Sequence, residues 1–121
     1  MRLMIVDDSM IIRNRIAVIS NDSRLGHVEI VGLAGDGEQA LALADAKKPN
    51  VITMDLTMPN MDGEECIARL THILPDAKIL VVSALSDRVT ALRAIRNGAH
   101  GFLHKPFRDD ELLGALLELS Q

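Results

Sequence analysis

The sequence has no tryptophan, no tyrosine and only two phenylalanines, Phe102 and Phe107, among its 121 residues. Its core is therefore expected to be aliphatic, and the aromatic platforms on which nucleic-acid bases stack are missing. Basic runs are missing too. Thirteen Lys and Arg stand against seventeen Asp and Glu, a net charge of −4, which argues against direct nucleic-acid binding. One cysteine, Cys66, excludes an internal disulfide and fits a reducing compartment. Its neighbours Ile67 and Leu70 mark it as a core thiol rather than a reactive one. No apolar run approaches the roughly 20 residues of a membrane span, and Asp7-Asp8 follows Met1 too soon for a secretory signal. A cytoplasmic chain without membrane insertion is expected. Hydrophobic content of 48% and charged content of 25% suit a soluble globule. The length suits one domain, residues 1–121, and no repeat or linker divides it.

What the chain does have is alternation. Short apolar runs at 3–6, 28–34, 51–54, 79–82 and 101–104 read as strands buried on both faces. Helical patterns separate them. The first follows Ser9, a plausible cap, and carries Ile12, Ile16 and Ile19 as its core stripe. Met10, Ile11 and Val18 lie partly off that stripe; they either pack on a neighbouring helix or form an apolar docking patch. Residues 38–47 are rich in Ala and Leu and end at Lys47-Lys48 and Pro49. Helix 63–74 presents Ile67, Leu70 and Leu74, with His72 left in solvent. Helix 87–96 is expected to be capped by Ser86, closed by Gly98 in the C′ position, and to turn Arg88, Arg93 and Arg96 outward. Helix 109–119 opens with acids, where the helix dipole favours them, and carries Leu112, Leu113, Leu116 and Leu119. Five strands joined by right-handed crossovers predict a doubly wound α/β sheet with five helices.

In such a fold every strand C-terminus lies on one edge of the sheet. Asp7, Asp8, Asp55, Ser83 and Lys105 should therefore converge. Taken singly, Asp55 could be only a turn or cap residue before Pro59 and Asp62-Gly63. Three gathered carboxylates, however, repel one another unless a cation compensates them. Few hard oxygen ligands suit Mg²⁺, which keeps several waters and shares its shell with a phosphate. Lys105 adds a point positive charge and Ser83 a hydroxyl. Phosphoryl transfer to Asp55 needs little more, since positioning and charge neutralisation supply most of its catalysis.

Asp7-Asp8, Asp55, Met58-Pro59 with Asp62-Gly63, Ser83-Ala84, Phe102 and Lys105-Pro106-Phe107 resemble the receiver domain of two-component response regulators, in the same order and spacing. The resemblance runs from Leu3 to the last helix. It implies a flavodoxin-like sheet of strand order 2-1-3-4-5, with Asp55 accepting a phosphoryl group from a histidine kinase or histidine phosphotransfer protein. It further implies that Mg²⁺ is held by Asp8, Asp55 and the backbone carbonyl of Thr57, with Asp7 acting through a water. Lys105, before a cis Pro106, would contact the phosphoryl oxygens. Ser83, beside Ala84, would swing toward them, and Phe102 would turn into the space vacated. Output would leave through Arg93, Arg96, Phe102 and His104, and kinase docking would use Met10, Ile11 and Pro106. Phe102 stands where many members carry Tyr, so the switch must work by packing alone. The variable positions Thr57 and Leu85 tune dephosphorylation. Leu85 cannot orient a water, so a moderate to slow rate is expected.

The segment 55–63 looks most like stand-alone chemotaxis regulators, whose output partner is the flagellar motor switch. An N-terminal receiver excised from a methylesterase or a DNA-binding regulator is the alternative. An aspartyl-phosphate phosphatase of the haloacid dehalogenase type fits poorly, because that family wants a second Asp where Thr57 stands, and a cap insertion. The chain is thus expected to be a phosphoacceptor switch and not an enzyme acting on other substrates.

Overall fold

The computed structural model describes residues 1–85 and 88–121. Five strands, β1 (Arg2–Val6), β2 (Glu29–Ala34), β3 (Val51–Met54), β4 (Lys78–Ser83) and β5 (Gly101–His104), form one sheet. Its order is β2-β1-β3-β4-β5 and every pairing is parallel. Five helices connect or follow the strands: α1 (Met10–Ser20), α2 (Gly37–Lys47), α3 (Gly63–Ile73), α4 (Arg88–Arg96) and α5 (Asp109–Leu119). The expected doubly wound architecture and strand order are those observed.

Strand alternation splits the core in two. Met4, Val6, Ile52, Met54, Ile79 and Val81 face α2, α3 and α4, where Ala40, Ala44, Cys66, Ile67, Leu70 and Ala94 meet them. Leu3, Ile5, Val51, Leu80 and Val82 face α1 and α5, against Ile16, Phe107, Leu112 and Leu116. Because β1, β3 and β4 are covered on both sides, their sequences are continuously apolar rather than alternating. Cys66 is fully buried and its thiol is pushed up to about 12 by that burial, in keeping with a core role.

Boundaries differ from the sequence reading at a few ends. Strand β1 begins at Arg2 and β4 runs on to Ser83, whereas β2 starts at Glu29. Helix α3 stops at Ile73, with Leu74 as its cap residue. The Asp62-Gly63 pair is more than a turn: the Asp62 carboxylate accepts from the Glu65 N–H at 2.8 Å and so caps α3. Ser9 caps α1 through a bond from the Ile12 N–H. Gly98 has φ +123°, a backbone region that favours glycine, just beyond α4. The expected cap at Ser86 lies outside the described residues.

Candidate functional site

The sheet places the first two acids. Beyond the end of β1, the Asp7 N–H donates to the Ala34 carbonyl at 3.0 Å; beyond the end of β3, the Asp55 N–H donates to the Val6 carbonyl at 2.9 Å. Both side chains are buried, while Asp8 is exposed. One carboxylate oxygen from each of Asp7, Asp8 and Asp55 lies within 4.8 Å of the others. Around an octahedral Mg²⁺, opposite ligands stand about 4.2 Å apart. Three hard carboxylate oxygens gathered this closely fit a hard divalent cation. Thr57 lies in the same loop, and its N–H donates to Asp55 Oδ1 at 3.3 Å.

Glycine allows that loop to form. A Cβ on Gly63 would stand 2.5 Å from Leu56 Cα and 2.6 Å from the Asp55 carbonyl oxygen, so the start of α3 presses directly on the segment bearing Asp55.

Charge in the site is unevenly compensated. Burial, then the neighbouring Asp7 carboxylate, raises Asp55 from its ordinary value of 3.8 to about 6, against the opposing pull of Lys105 and the Thr57 N–H. The Lys105 ammonium donates to Asp7 Oδ2 at 2.7 Å and stands 3.8 Å from Asp55 Oδ2. It thus neutralises Asp7 first and Asp55 only partly. Asp7 Oδ1 accepts in turn from the Ser9 N–H.

The ends of β4 and β5 supply the other wall. Ser83 is buried, and its hydroxyl oxygen accepts from the Leu85 N–H at 3.1 Å. The Lys105 N–H donates to the Ser83 carbonyl, and an imidazole nitrogen of His104 lies 3.2 Å from the Ala84 carbonyl. The Lys105–Pro106 bond is cis. Phe102 is half-buried against the core cluster beneath α3 and α4.

The structure therefore gathers Asp7, Asp8, Asp55 and Lys105 and sets Ser83 on the neighbouring strand ends. The surface residues are scattered more widely. Arg96, His104 and Pro106 are exposed, and Arg93, though exposed, pairs with Glu64 of α3 at 2.7 Å. Met10, Ile11 and Val18 are 64%, 78% and 73% exposed, which excludes their packing on a neighbouring helix. Sequence reasoning missed an apolar row on α4 and its approach: Leu85, Val89, Leu92 and Ile95 are all exposed. Their signal was the spacing 89, 92, 95 on a helix whose small residue Ala94 faces the sheet. A cleft of about 230 Å³ separates this helix from the β3–α3 segment, lined by Leu56, Asp62, Glu64, Leu85, Thr90 and Arg93. Among the described residues no helix is long and apolar enough to cross a membrane.

Known proteins share this fold. Chemotaxis protein CheY of Listeria monocytogenes is 40% identical over 116 residues, covering 96% of this chain and 95% of its own. The CheX–CheY–BeF₃–Mg²⁺ complex of Borrelia burgdorferi contains a chain superposing with TM-score 0.90 at 25% identity, over 99% of this chain and 89% of that one. The response regulator domain of Thermotoga maritima CheB superposes with TM-score 0.84 at 32% identity, over 98% and 95%. Residues 3–117 match the family described as the response regulator receiver domain, and the chain belongs to that family.

Proposed function

We propose that Asp55 is the phosphoacceptor of a switch comprising residues 1–121. The observation that carries this reading is a buried Asp55 flanked by Asp7 and Asp8, with the Lys105 ammonium 3.8 Å away. An Asp55 oxygen would attack the phosphorus of a phosphohistidine; the N–P bond breaks and the imidazole leaves, taking up a proton. Asp8, Asp55 and the Thr57 carbonyl would hold Mg²⁺, with Asp7 acting through a water. The ion, when bound, neutralises the crowded carboxylates and the phosphoryl oxygens. Lys105 would turn from Asp7 to the new phosphoryl group. Ser83 would exchange its bond with the Leu85 N–H for one to that group, carrying Ala84 with it, and Phe102 would follow into the space released. The cleft beside Leu85 gives the segment room to move.

The histidine kinase or phosphotransfer donor would dock on Met10, Ile11 and Pro106, all exposed beside the site. Output would leave through Arg93, Arg96, Phe102 and His104, together with the apolar row on α4. Similarity to Chemotaxis protein CheY along nearly the whole chain supports a chemotaxis role; the switch would then act in the cytoplasm, with the flagellar motor switch as its output. The likeness to the CheB domain favours a second reading, a receiver that works attached to an effector. Leu85 in place of a polar residue should leave the phosphoaspartate moderately to slowly hydrolysed.

Incubation with acetyl phosphate and Mg²⁺, followed by intact mass, tests the proposal. One added phosphoryl mass is expected, absent without Mg²⁺ and in Asp55→Ala. No gain from acetyl phosphate or from a phosphohistidine donor would overturn it.

A further inference from the structure

Asp7 and Lys105 meet although 98 positions separate them, so something must hold their loops in register. Helix α1 reaches both. The Arg13 guanidinium donates from Nη1 to the Asp7 carbonyl at 2.6 Å. It crosses the β2–α2 turn at Gly35, where a Cβ would stand 3.4 Å from Nη1. Half a turn further along, Arg15 grips the other loop. Its Nη2 donates to the Phe107 carbonyl at 2.7 Å, and Nη2 and Nε both donate to Asp109 Oδ1, at 2.9 and 3.2 Å. The guanidinium carbon sits 4.4 Å from the centre of the Phe107 ring, and that ring is buried against α5. The carbonyl two residues past Lys105 is thereby fixed.

We propose that Arg13 and Arg15 are separate positioning residues of the site, each fixing one charged loop, and that they govern different ligands. The inference rests on the phosphoacceptor reading. Arg13 holds the main chain of Asp7 and through it the acidic side, where the cation would bind. Arg15 holds the main chain behind Lys105 and through it the phosphoryl side. Neither touches a reacting atom. A purely structural role would be a weak one, because the Arg15–Asp109 pair is largely exposed, with side-chain exposures of 38% and 74%, and such pairs contribute little to stability. The planar fork matters: Arg15 uses it on a carbonyl, a carboxylate and a ring face at once, which a lysine cannot do. The same helix exposes Met10 and Ile11 on its outer side. A donor pressing there would thus lean on the element that holds both loops.

The test compares wild type with Arg13→Gln, Arg15→Gln and Arg15→Lys, measuring Mg²⁺ affinity by calorimetry and beryllofluoride affinity by fluorine NMR at saturating Mg²⁺. Arg13→Gln should weaken Mg²⁺ on the order of tenfold, as loss of groups that orient metal ligands does, and leave beryllofluoride within about twofold. Arg15→Gln should do the reverse, and Arg15→Lys should recover little of the loss. Amide exchange in the metal-free protein adds a readout independent of either ligand: residues 105–108 should exchange faster in Arg15→Gln alone. Parallel loss of both ligands with a lowered Tm, or affinities equal to wild type, would overturn the proposal. If wild type binds neither ligand, the phosphoacceptor reading has failed instead, and the exchange pattern still decides whether each arginine holds its own loop.

Discussion

Helices α3 and α4 lie side by side on one face of the sheet, yet they are attached very differently. Helix α3 buries Gly63, Cys66, Ile67 and Leu70, and its first residue abuts the Asp55–Leu56 backbone. Helix α4 buries only Ala94 and leaves Val89, Leu92 and Ile95 in solvent. An ion pair from Arg93 to Glu64 links the two. The floor of the site, made by β1, β3 and α3, is thus fixed by backbone hydrogen bonds and close packing. In the wall, β5 is paired to β4 and packs Phe102 and Leu103 on the core, but α4 rests on little apolar contact, and residues 83–85 and Lys105 are held by replaceable polar bonds. A switch needs this division. The acceptor must stay put, and the reporting surface must have a second position of similar free energy.

The contrast is broken most severely at Gly63. Its Cβ-sized gap is closed by backbone rather than by a flexible side chain, so Gly63→Ala should cost about 3 kcal/mol or more of stability in urea unfolding. It should also displace Asp55. A second experiment sets the two helices against each other. Ile67→Ala in α3 should destabilise by about 2–5 kcal/mol, whereas Leu92→Ala in α4 should stay within about 0.5 kcal/mol. Equal costs in urea unfolding would contradict the division.

Electrostatics sharpens it next. Asp55 is raised from 3.8 to about 6, so the folded chain disfavours its ionised form. Well below pH 4 the group is protonated in both folded and unfolded states and costs nothing; between about pH 4 and 6 the unfolded chain ionises while the folded chain keeps its proton, so stability falls across that window and the loss is complete once pH has passed about 6. In metal-free protein, Asp55→Asn should therefore stabilise by roughly 2–3 kcal/mol at pH 7 and by almost nothing at pH 4. Saturating Mg²⁺ should reverse the sign, because an ion held by Asp55 in the folded wild type would stabilise it relative to Asp55→Asn. The smallest effect concerns one imperfection in the floor. The Thr53 hydroxyl is buried in β3 without a hydrogen-bond partner among the described residues. Thr53→Val should stabilise by about 1 kcal/mol in thermal unfolding.

The floor was also the part most legible in the sequence. Its strands are unbroken apolar runs ending in Asp7 and Asp55, and Asp62-Gly63 announces the break that follows. Convergence of Asp7, Asp8, Asp55, Ser83 and Lys105 needed only the rule that parallel strands end on one edge. The wall was less legible because its features depend on contacts that no local pattern records. The pairing of Arg93 with Glu64 spans 29 positions, and an arginine bound to a neighbouring helix reads the same as a solvated one. The apolar row on α4 has the spacing of a core stripe; only the packing of Ala94 toward the sheet shows that the row faces outward. Likewise Arg13 and Arg15 are unremarkable on a helix until the chain folds and their carbonyl partners arrive beneath them.

Amide hydrogen exchange with and without Mg²⁺ and beryllofluoride reads the fixed floor and the movable wall in one experiment. Altered exchange is expected at Ser83–Leu85, along α4 and at Phe102–Lys105, with α3 and β1 unchanged beyond the immediate neighbours of Asp7 and Asp55. Uniform protection across the chain, or a response confined to the acids with α4 silent, would contradict this division of floor and wall.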